Sequence, residues 1–278
     1  MEETDVVAAD ELRRLAGWNQ RREDWQQLLR LEPVGCFVAM RNGQLVGTVT
    51  TTAYGQALAW IGMMLVHPEH RRQGIATALM RRALSHLRDS GVRCVRLDAT
   101  PAGQPLYERL GFAPEWRITR WRRPPARRPL LPEHVATTRE MSEQDWPSVE
   151  KIDAAAVGVP RPRLLRLLAT GSYAALVWPA QGQIKGWGLL RPGAESRCIG
   201  PLVCTEPTAA ICLAEDLLLV PGEFSVIWDA PEQNEIATAT VGRLGFTALR
   251  NLTRMRLGTA LSATVPQATA AIADPAVG

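Results

Sequence analysis

The sequence predicts an α/β fold of mixed sheets flanked by helices, laid out as two tandem units. Three observations carry this reading. An apolar run from Ile61 to Val66 ends at a Pro68 turn, passes through Arg71-Arg72-Gln73-Gly74-Ile75-Ala76 and enters a helical pattern, so strand, loop and helix follow one another directly. Helix-like and strand-like segments alternate on both sides of that stretch. The run Arg109-Leu110-Gly111-Phe112 returns as Arg243-Leu244-Gly245-Phe246 within a second stretch of the same order, which points to an internal duplication.

From the amino terminus, residues 9–16 and 22–31 hold two helical patterns separated by Gly17-Trp18-Asn19-Gln20, and Pro33 ends the second. Gly35–Met40 and Gln44–Thr52 read as strands joined by Asn42-Gly43, a strong hairpin signal. A further strand reaches Val66. Ile75, Leu79, Ala83, Leu84 and Leu87 then repeat at helical spacing, and Ser90-Gly91 supplies the stop. Cys94–Ala99 is a strand, Pro101-Ala102-Gly103 a turn, residues 105–112 a short helix, and Trp116–Arg122 a closing strand. Residues 1–125 make the first unit, and 126–136, with Pro129 and Pro132 beside Arg127-Arg128, a linker.

The loop at 71–77 has the chemistry of an anion site. First-turn amides of a helix lack an intrahelical acceptor, and the helix dipole places partial positive charge there. Gly74 and Ala76 leave those amides accessible, and Arg71 and Arg72 add charge at the rim. No Lys-Ser/Thr pair follows the glycine and no Gly-x-Gly-x-x-Gly is present, so neither a P-loop nor a dinucleotide fingerprint fits. What the residues do match is Arg71-x-x-Gly74-x-Ala76 after Val66-x-Pro68, which resembles the pyrophosphate loop of the GNAT acetyltransferase superfamily.

That resemblance covers residues 1–125 throughout, and the whole layout resembles tandem GNAT proteins. It implies two GNAT-like domains, each a mixed, mostly antiparallel sheet flanked by helices. It further implies an acetyl-CoA-dependent N-acetyltransferase acting on a primary amine of a small molecule or peptide by direct attack in a ternary complex. Arg71, Arg72, Gln73, Gly74, Ile75, Ala76 and Thr77 would hold the pyrophosphate, and backbone amides around Met64, Leu65 and Val66 the pantetheine arm. Tyr107, in Tyr107-x-x-x-Gly111-Phe112, would be the acid that helps the thiolate leave; packing on the sheet is its other reading. Trp18, Asn19, Trp25 and Trp60 become acceptor-side residues, each with ordinary packing as the alternative. Asp98 could orient a water or the amine, or bond its own turn, and His67 and His70 read as surface residues beside the loop.

Residues 137–258 read as a worn copy. Cys198–Val203 echoes the strand of the anion motif, and Phe224–Ala230 echoes the strand ending Leu97-Asp98-Ala99. In place of the loop stands Thr205-Glu206-Pro207-Thr208-Ala209-Ala210, without Arg or Gly, and Val241 stands where the first copy has Tyr107. The copy is expected to bind no coenzyme A and to shape the acceptor pocket instead, with Asp229 and Glu232 attracting a cationic amine or merely capping turns. Residues 259–278, rich in Ala, Thr and Pro, are expected to be a disordered tail.

Composition excludes several classes. Hydrophobic residues are 46% and charged residues 22%, no run is long enough to span a bilayer, and the acidic start is not a signal peptide. Five cysteines form no Cys-x-x-Cys pair, so a reducing cytoplasm is the simplest setting, and no metal site is indicated. The net charge of +4 is uneven: residues 1–128 hold 20 Arg against 13 Asp and Glu. That suits a polyphosphate ligand, whereas the Arg-rich run 117–128 reads as a solvated strand and linker rather than a nucleic-acid surface. A non-catalytic acyl-CoA sensor and, behind it, a nucleic-acid-binding protein are the alternatives.

Overall fold

The computed structural model describes residues 1–125, 137–261 and 266–278. The expected linker at 126–136 lies outside them. By packing density the chain separates into two units. Unit 1 contains Met1–Pro114, Met255–Ala260 and Pro275–Gly278; unit 2 contains Glu115–Arg254 and Leu261–Asp274.

In unit 1, α1 (Val6–Leu15) and α2 (Arg22–Leu31) precede β1 (Cys36–Arg41), β2 (Gln44–Tyr54) and β3 (Leu58–Val66). The Asn42-Gly43 turn forms as the dipeptide predicts, both residues taking positive φ (49° and 77°) as a tight hairpin requires. β1–β2 and β2–β3 are antiparallel. The chain then enters α3 (Ile75–Asp89), crosses to β4 (Cys94–Ala99), which runs parallel to β3, and continues into α4 (Gln104–Arg109). Leu79, Met80, Ala83 and Leu87 of α3 pack on Val49, Ala59, Ile61, Val95 and Leu97 in the main core of this unit. Each such large aliphatic side chain contributes about 1.5–3 kcal/mol on burial. Gly47 lets α3 approach, since a Cβ there would lie 3.0 Å from Leu79 and 3.1 Å from Ile75.

Unit 2 is built around β5 (Ala113–Arg123), whose residues from Glu115 onward lie in it. It continues through β6 (Arg139–Glu140), α5 (Trp146–Val157), α6 (Pro162–Thr170), β7 (Ala174–Ala180), β8 (Gln183–Arg191), β9 (Arg197–Cys204), α7 (Pro207–Leu218), β10 (Val226–Pro231), α8 (Glu235–Arg243), β11 (Thr247–Gly258) and β12 (Thr269–Ala271). Its sheet runs β11-β5-β10-β9-β8-β7-β6, with β12 paired to β9. The order helix pair, hairpin, strand, helix, strand, short helix, strand is that of the first half, as the repeat predicts. The closing strands are exchanged: β5 of the first half lies beside β10, and the end of β11, Met255–Gly258, belongs to unit 1 next to β4.

Two expectations are corrected. The last residues are not a disordered tail. β12 pairs with β9, the Trp228 indole donates to Ala270 O at 2.8 Å, Ile272 N donates to Asp229 O at 3.1 Å, and Ala270 to Ala273 are buried. Their lack of apolar periodicity misled because small alanines pack in close contact without a helical or strand stripe. Asp229, in turn, is no free acceptor contact. It is 7% exposed and takes two hydrogen bonds from Arg120, at 2.7 and 2.6 Å, so its charge is spent inside unit 2. Glu232 accepts from the Thr119 hydroxyl at 3.1 Å, so it is bonded within the same unit.

Replacing Asp229 by Ala strands a buried guanidinium, and breaking such a pair costs about 3–5 kcal/mol. Urea unfolding of Asp229→Ala is expected to show a loss of that size; a change below about 0.5 kcal/mol would mean that the pair is not what holds Arg120.

Candidate active site

The site is built where β3 and β4 part. Their parallel pairing covers only Ala59 with Val95 and Trp60 with Arg96. Beyond those pairs Ile61–Val66 and Leu97–Ala99 run on without each other, leaving backbone groups directed into the gap, and backbone polar groups seek partners. The other edge of β3 is disturbed at the same level: Thr48 faces Leu65 but Thr50 faces Gly62, so β3 carries one extra residue. Met63 takes that bulge with φ 47°, and the Thr48 hydroxyl donates to its carbonyl at 2.8 Å. A bulge turns amides out of the ladder and re-aims them, here toward the gap at Met63 and Met64. Residue-by-residue reading named Met64, Leu65 and Val66 and missed Met63; the glycine inside an apolar strand, Gly62, is the sequence signal that could have located the bulge.

At the end of β3 the chain turns through a short 3-10 segment, Pro68–His70, into the loop. Arg72 and Gly74 both have positive φ, 60° and 82°, and Gly74 is the N-cap of α3. No side chain caps that terminus, and the first intrahelical bond is Ala78 N to Gly74 O at 3.0 Å. The amides of Ile75, Ala76 and Thr77 thus face forward. Arg71 is steadied by Nε donating to Val66 O at 3.3 Å; Gln73 Nε2 donates to Glu69 O at 3.2 Å, and the Gln73 side-chain oxygen accepts from Arg41. A Cβ built on Gly74 meets nothing within 4 Å. Open space before three uncapped amides, with Arg71 and Arg72 at the rim, fits a diphosphate.

Tyr107 lies on α4 and is 8% exposed. Its ring meets Phe112 edge-on at 6.1 Å and leaves no slack at Gly103, where a Cβ would lie 3.1 Å from the ring. Burial pushes the phenol up to about 12, because a phenolate would lose its hydration in the apolar core. At neutral pH the group is therefore a hydrogen donor.

The other predicted residues separate. Trp60 is buried on β3 and donates to Pro275 O at 3.0 Å; Trp25 is fully buried on α2. Trp18 is half-buried after α1, its carbonyl accepting from Arg13 at 3.0 Å, and Asn19 follows it. Asp98 is half-buried near the end of β4. His67 accepts from Glu69 N at 3.4 Å. In unit 2 the matching place differs. β9 and β10 also part early, pairing only from Val226 with Arg197 to Trp228 with Ile199. But α7 begins with Glu206 as N-cap and Pro207 in its first turn, so an acid and a missing amide replace the anion loop. A cavity of about 680 Å³ remains there, lined among others by Cys204, Glu206, Ala210 and Asn234.

Comparison with known proteins settles the family. Residues 7–112 match the model of the Acetyltransferase (GNAT) family, and residues 149–267 that of an Acetyltransferase (GNAT) domain. The chain belongs to the GNAT acetyltransferase family. It is similar to the uncharacterized N-acetyltransferase YitH of Bacillus subtilis (strain 168), 27% identical over 198 residues that span 70% of this chain and 68% of YitH. A solved structure of a candidate acetyltransferase from Pyrococcus horikoshii superposes with TM-score 0.85 at 27% identity, over 100% of this chain and 94% of that one. A tandem GNAT protein from the clavulanic acid biosynthesis pathway shares the fold, with TM-score 0.62 and 16% identity over 92% and 95% of the two chains. The GNAT chain described here is thus an acetyltransferase with two GNAT domains. No helix among its described residues is long and apolar enough to cross a membrane, and none of the five cysteines, all of them among the described residues, is in a disulfide.

The raised Tyr107 pKa has a kinetic consequence. A phenol of ordinary pKa near 10 is half ionised at pH 10, whereas one near 12 remains protonated there. The pH profile of kcat should show no alkaline limb due to Tyr107 up to pH 10. A limb near pH 9–10 that is missing in Tyr107→Phe would contradict the burial argument.

Proposed function

We propose that this GNAT protein transfers an acetyl group from acetyl-CoA to a primary amine of a small molecule or peptide, by direct attack within a ternary complex in unit 1. The observation that carries the reading is the coincidence, at one end of β3, of the parted strands, the Met63 bulge and the Gly74-capped helix. Acetyl-CoA supplies the activated acyl group. Arg71 to Thr77 hold its diphosphate, and the gap between β3 and β4 takes the extended pantetheine arm as an added strand takes an edge. The turned-out amides at Met63 and Met64 hydrogen-bond the carbonyl oxygen, where negative charge grows as the amine attacks. As the C–N bond forms and the C–S bond breaks, Tyr107 donates its proton to the departing sulfur, and the proton lost by the acceptor nitrogen restores the phenol. Holding both reactants in one cleft supplies much of the rate, since orientation replaces a bimolecular encounter.

Unit 2 takes no part in donor binding, because Glu206 and Pro207 stand where the amides and arginines are needed. Calorimetric titration with acetyl-CoA is expected to give one site per chain; two equal sites would refute this assignment. Free-thiol release with a panel of amines, amino acids, polyamines, aminoglycosides and peptides tests the activity itself, and no release above the hydrolysis background with any of them would overturn it.

Gly74→Ala and Gly74→Glu separate strain from charge. Both force a side chain into a left-handed backbone, costing about 1–2 kcal/mol, but only the glutamate opposes the diphosphate. The expected order of acetyl-CoA affinity is wild type, then Ala, then Glu, with Glu at least tenfold below Ala. Equal affinity of the two variants would remove the diphosphate from this loop. Tyr107→Phe is expected to lower kcat about tenfold or more while leaving the dissociation constant for acetyl-CoA within twofold; an unchanged kcat returns the residue to packing.

A further inference from the structure

The two faces of β3 are used differently. Ile61 and Ala59 point into the core with α3 and α4, so the diphosphate end of the donor lies on that side and the acyl group must reach the bulge through the gap. An acceptor amine is left with the opposite face, the one carrying Trp60 and Gly62. Pro275–Gly278, which belong to unit 1, lie on that face beside α1, which also packs on β2 and β3. The Trp60 indole donates to Pro275 O at 3.0 Å, and the Tyr54 hydroxyl donates to Val277 O at 2.6 Å. Ala276 lies so close over Gly62 that a Cβ there would stand 2.3 Å from its carbonyl oxygen. Ala276 and Val277 are buried, and a Cβ on Gly278 would lie 2.7 Å from the Trp60 ring.

The cover is imperfectly satisfied. Thr50 and Thr52 are the cross-strand partners of Gly62 and Trp60, so their side chains share this face. Both are at least 97% buried, at 0% and 3% exposure, and neither hydroxyl oxygen has a hydrogen-bond partner among the described residues. Buried polar groups are nearly always paired, and these two hydroxyls share one face of β2 beside the bulge, where a polar ligand could bond both. The side chains of Ala276 and Val277 in the strap carry no polar atom to bond them.

We propose that Pro275–Gly278 is a displaceable strap over the acceptor face of β3, and that the acceptor's nitrogen takes its place against the Thr50 and Thr52 hydroxyls. The inference rests on the acetyltransferase reading above. In the resting chain the strap competes with the amine, so apparent acceptor affinity is reduced by the fraction of closed molecules. Donor binding, on the other face, is not affected.

The test uses the full chain. Hydrogen exchange followed by mass spectrometry is expected to show 275–278 protected alone, and exchanging at least tenfold faster with coenzyme A and a turned-over amine present. Val277→Asp, which puts a charge on the buried strap, should lower the amine KM severalfold with the acetyl-CoA dissociation constant unchanged. Thr50→Val, of equal shape, should raise that KM at least tenfold. A strap that stays protected in the ternary mixture, an unchanged or raised KM in Val277→Asp, or an unaltered KM in Thr50→Val overturns this inference alone. A wild-type chain that binds acetyl-CoA but acetylates no amine overturns the functional reading and this one with it.

Discussion

In unit 1 everything of chemical interest follows from how β3 spends its backbone. A strand in mid-sheet normally satisfies both edges along its length. β3 pairs with β4 through only two residues, and on its other edge the ladder with β2 is broken by the extra residue at Met63. Those losses are held in place by compensations nearby: the Thr48 hydroxyl on Met63 O, the apolar face packed under α3, and the glycine at 62. The result is a row of peptide groups that the fold leaves for a ligand, ending at a helix whose first amides are likewise uncapped. On the proposed reading, donor recognition is mostly a property of the main chain.

The second half shows which part of that arrangement is architecture and which is chemistry. β9 and β10 still part after three pairs, and β12 enters the split, pairing with β9 and bonding Asp229 O through Ile272 N. The topology therefore survives without a ligand to justify it. What has gone is the small set of side chains that make the terminus of the crossing helix attractive to an anion. Glu206 sets an acid at the N-terminus of α7 and Pro207 removes one amide. Unit 2 instead carries buried ion pairs, Arg120–Asp229 between β5 and β10 and Arg161–Asp153 between the start of α6 and α5, the latter with side chains 1% and 0% exposed. Such pairs belong to a stable scaffold with fixed partners, as the loss of Asp229 from the predicted acceptor set illustrates.

How much of this could be read from the sequence depended on the range of the interactions involved. Asn42-Gly43, the strand-loop-helix run and the Arg-Leu-Gly-Phe repeat are local, and each states its own backbone geometry through residue type; the elements they predict are present. The exchange of closing strands was not legible, because β5 and β11 have the same alternating character and nothing local says which neighbour each will pair with. The bulge at Met63 was legible only faintly, through Gly62. The final segment was misread outright: Ala270 to Ala273 carry no periodicity, and their order comes from Trp228, Asp229 and β9, all far away in the chain.

That division of range also explains why the donor can be named and the acceptor cannot. A diphosphate is recognised by amides and small residues consecutive in sequence, so seven adjacent positions suffice to announce it. An amine acceptor meets side chains, and on the available face of β3 these come from β2, β3 and the last four residues, more than 220 positions apart in the case of Tyr54 and Val277. Only Trp60 of that group stood out beforehand. Thr50 and Thr52 look in the sequence like ordinary β-branched strand residues, since a threonine hydroxyl reveals itself as functional only when its surroundings fail to satisfy it. On the proposed reading, acceptor recognition rests on two threonine hydroxyls of β2, a feature that exists only after the chain has folded.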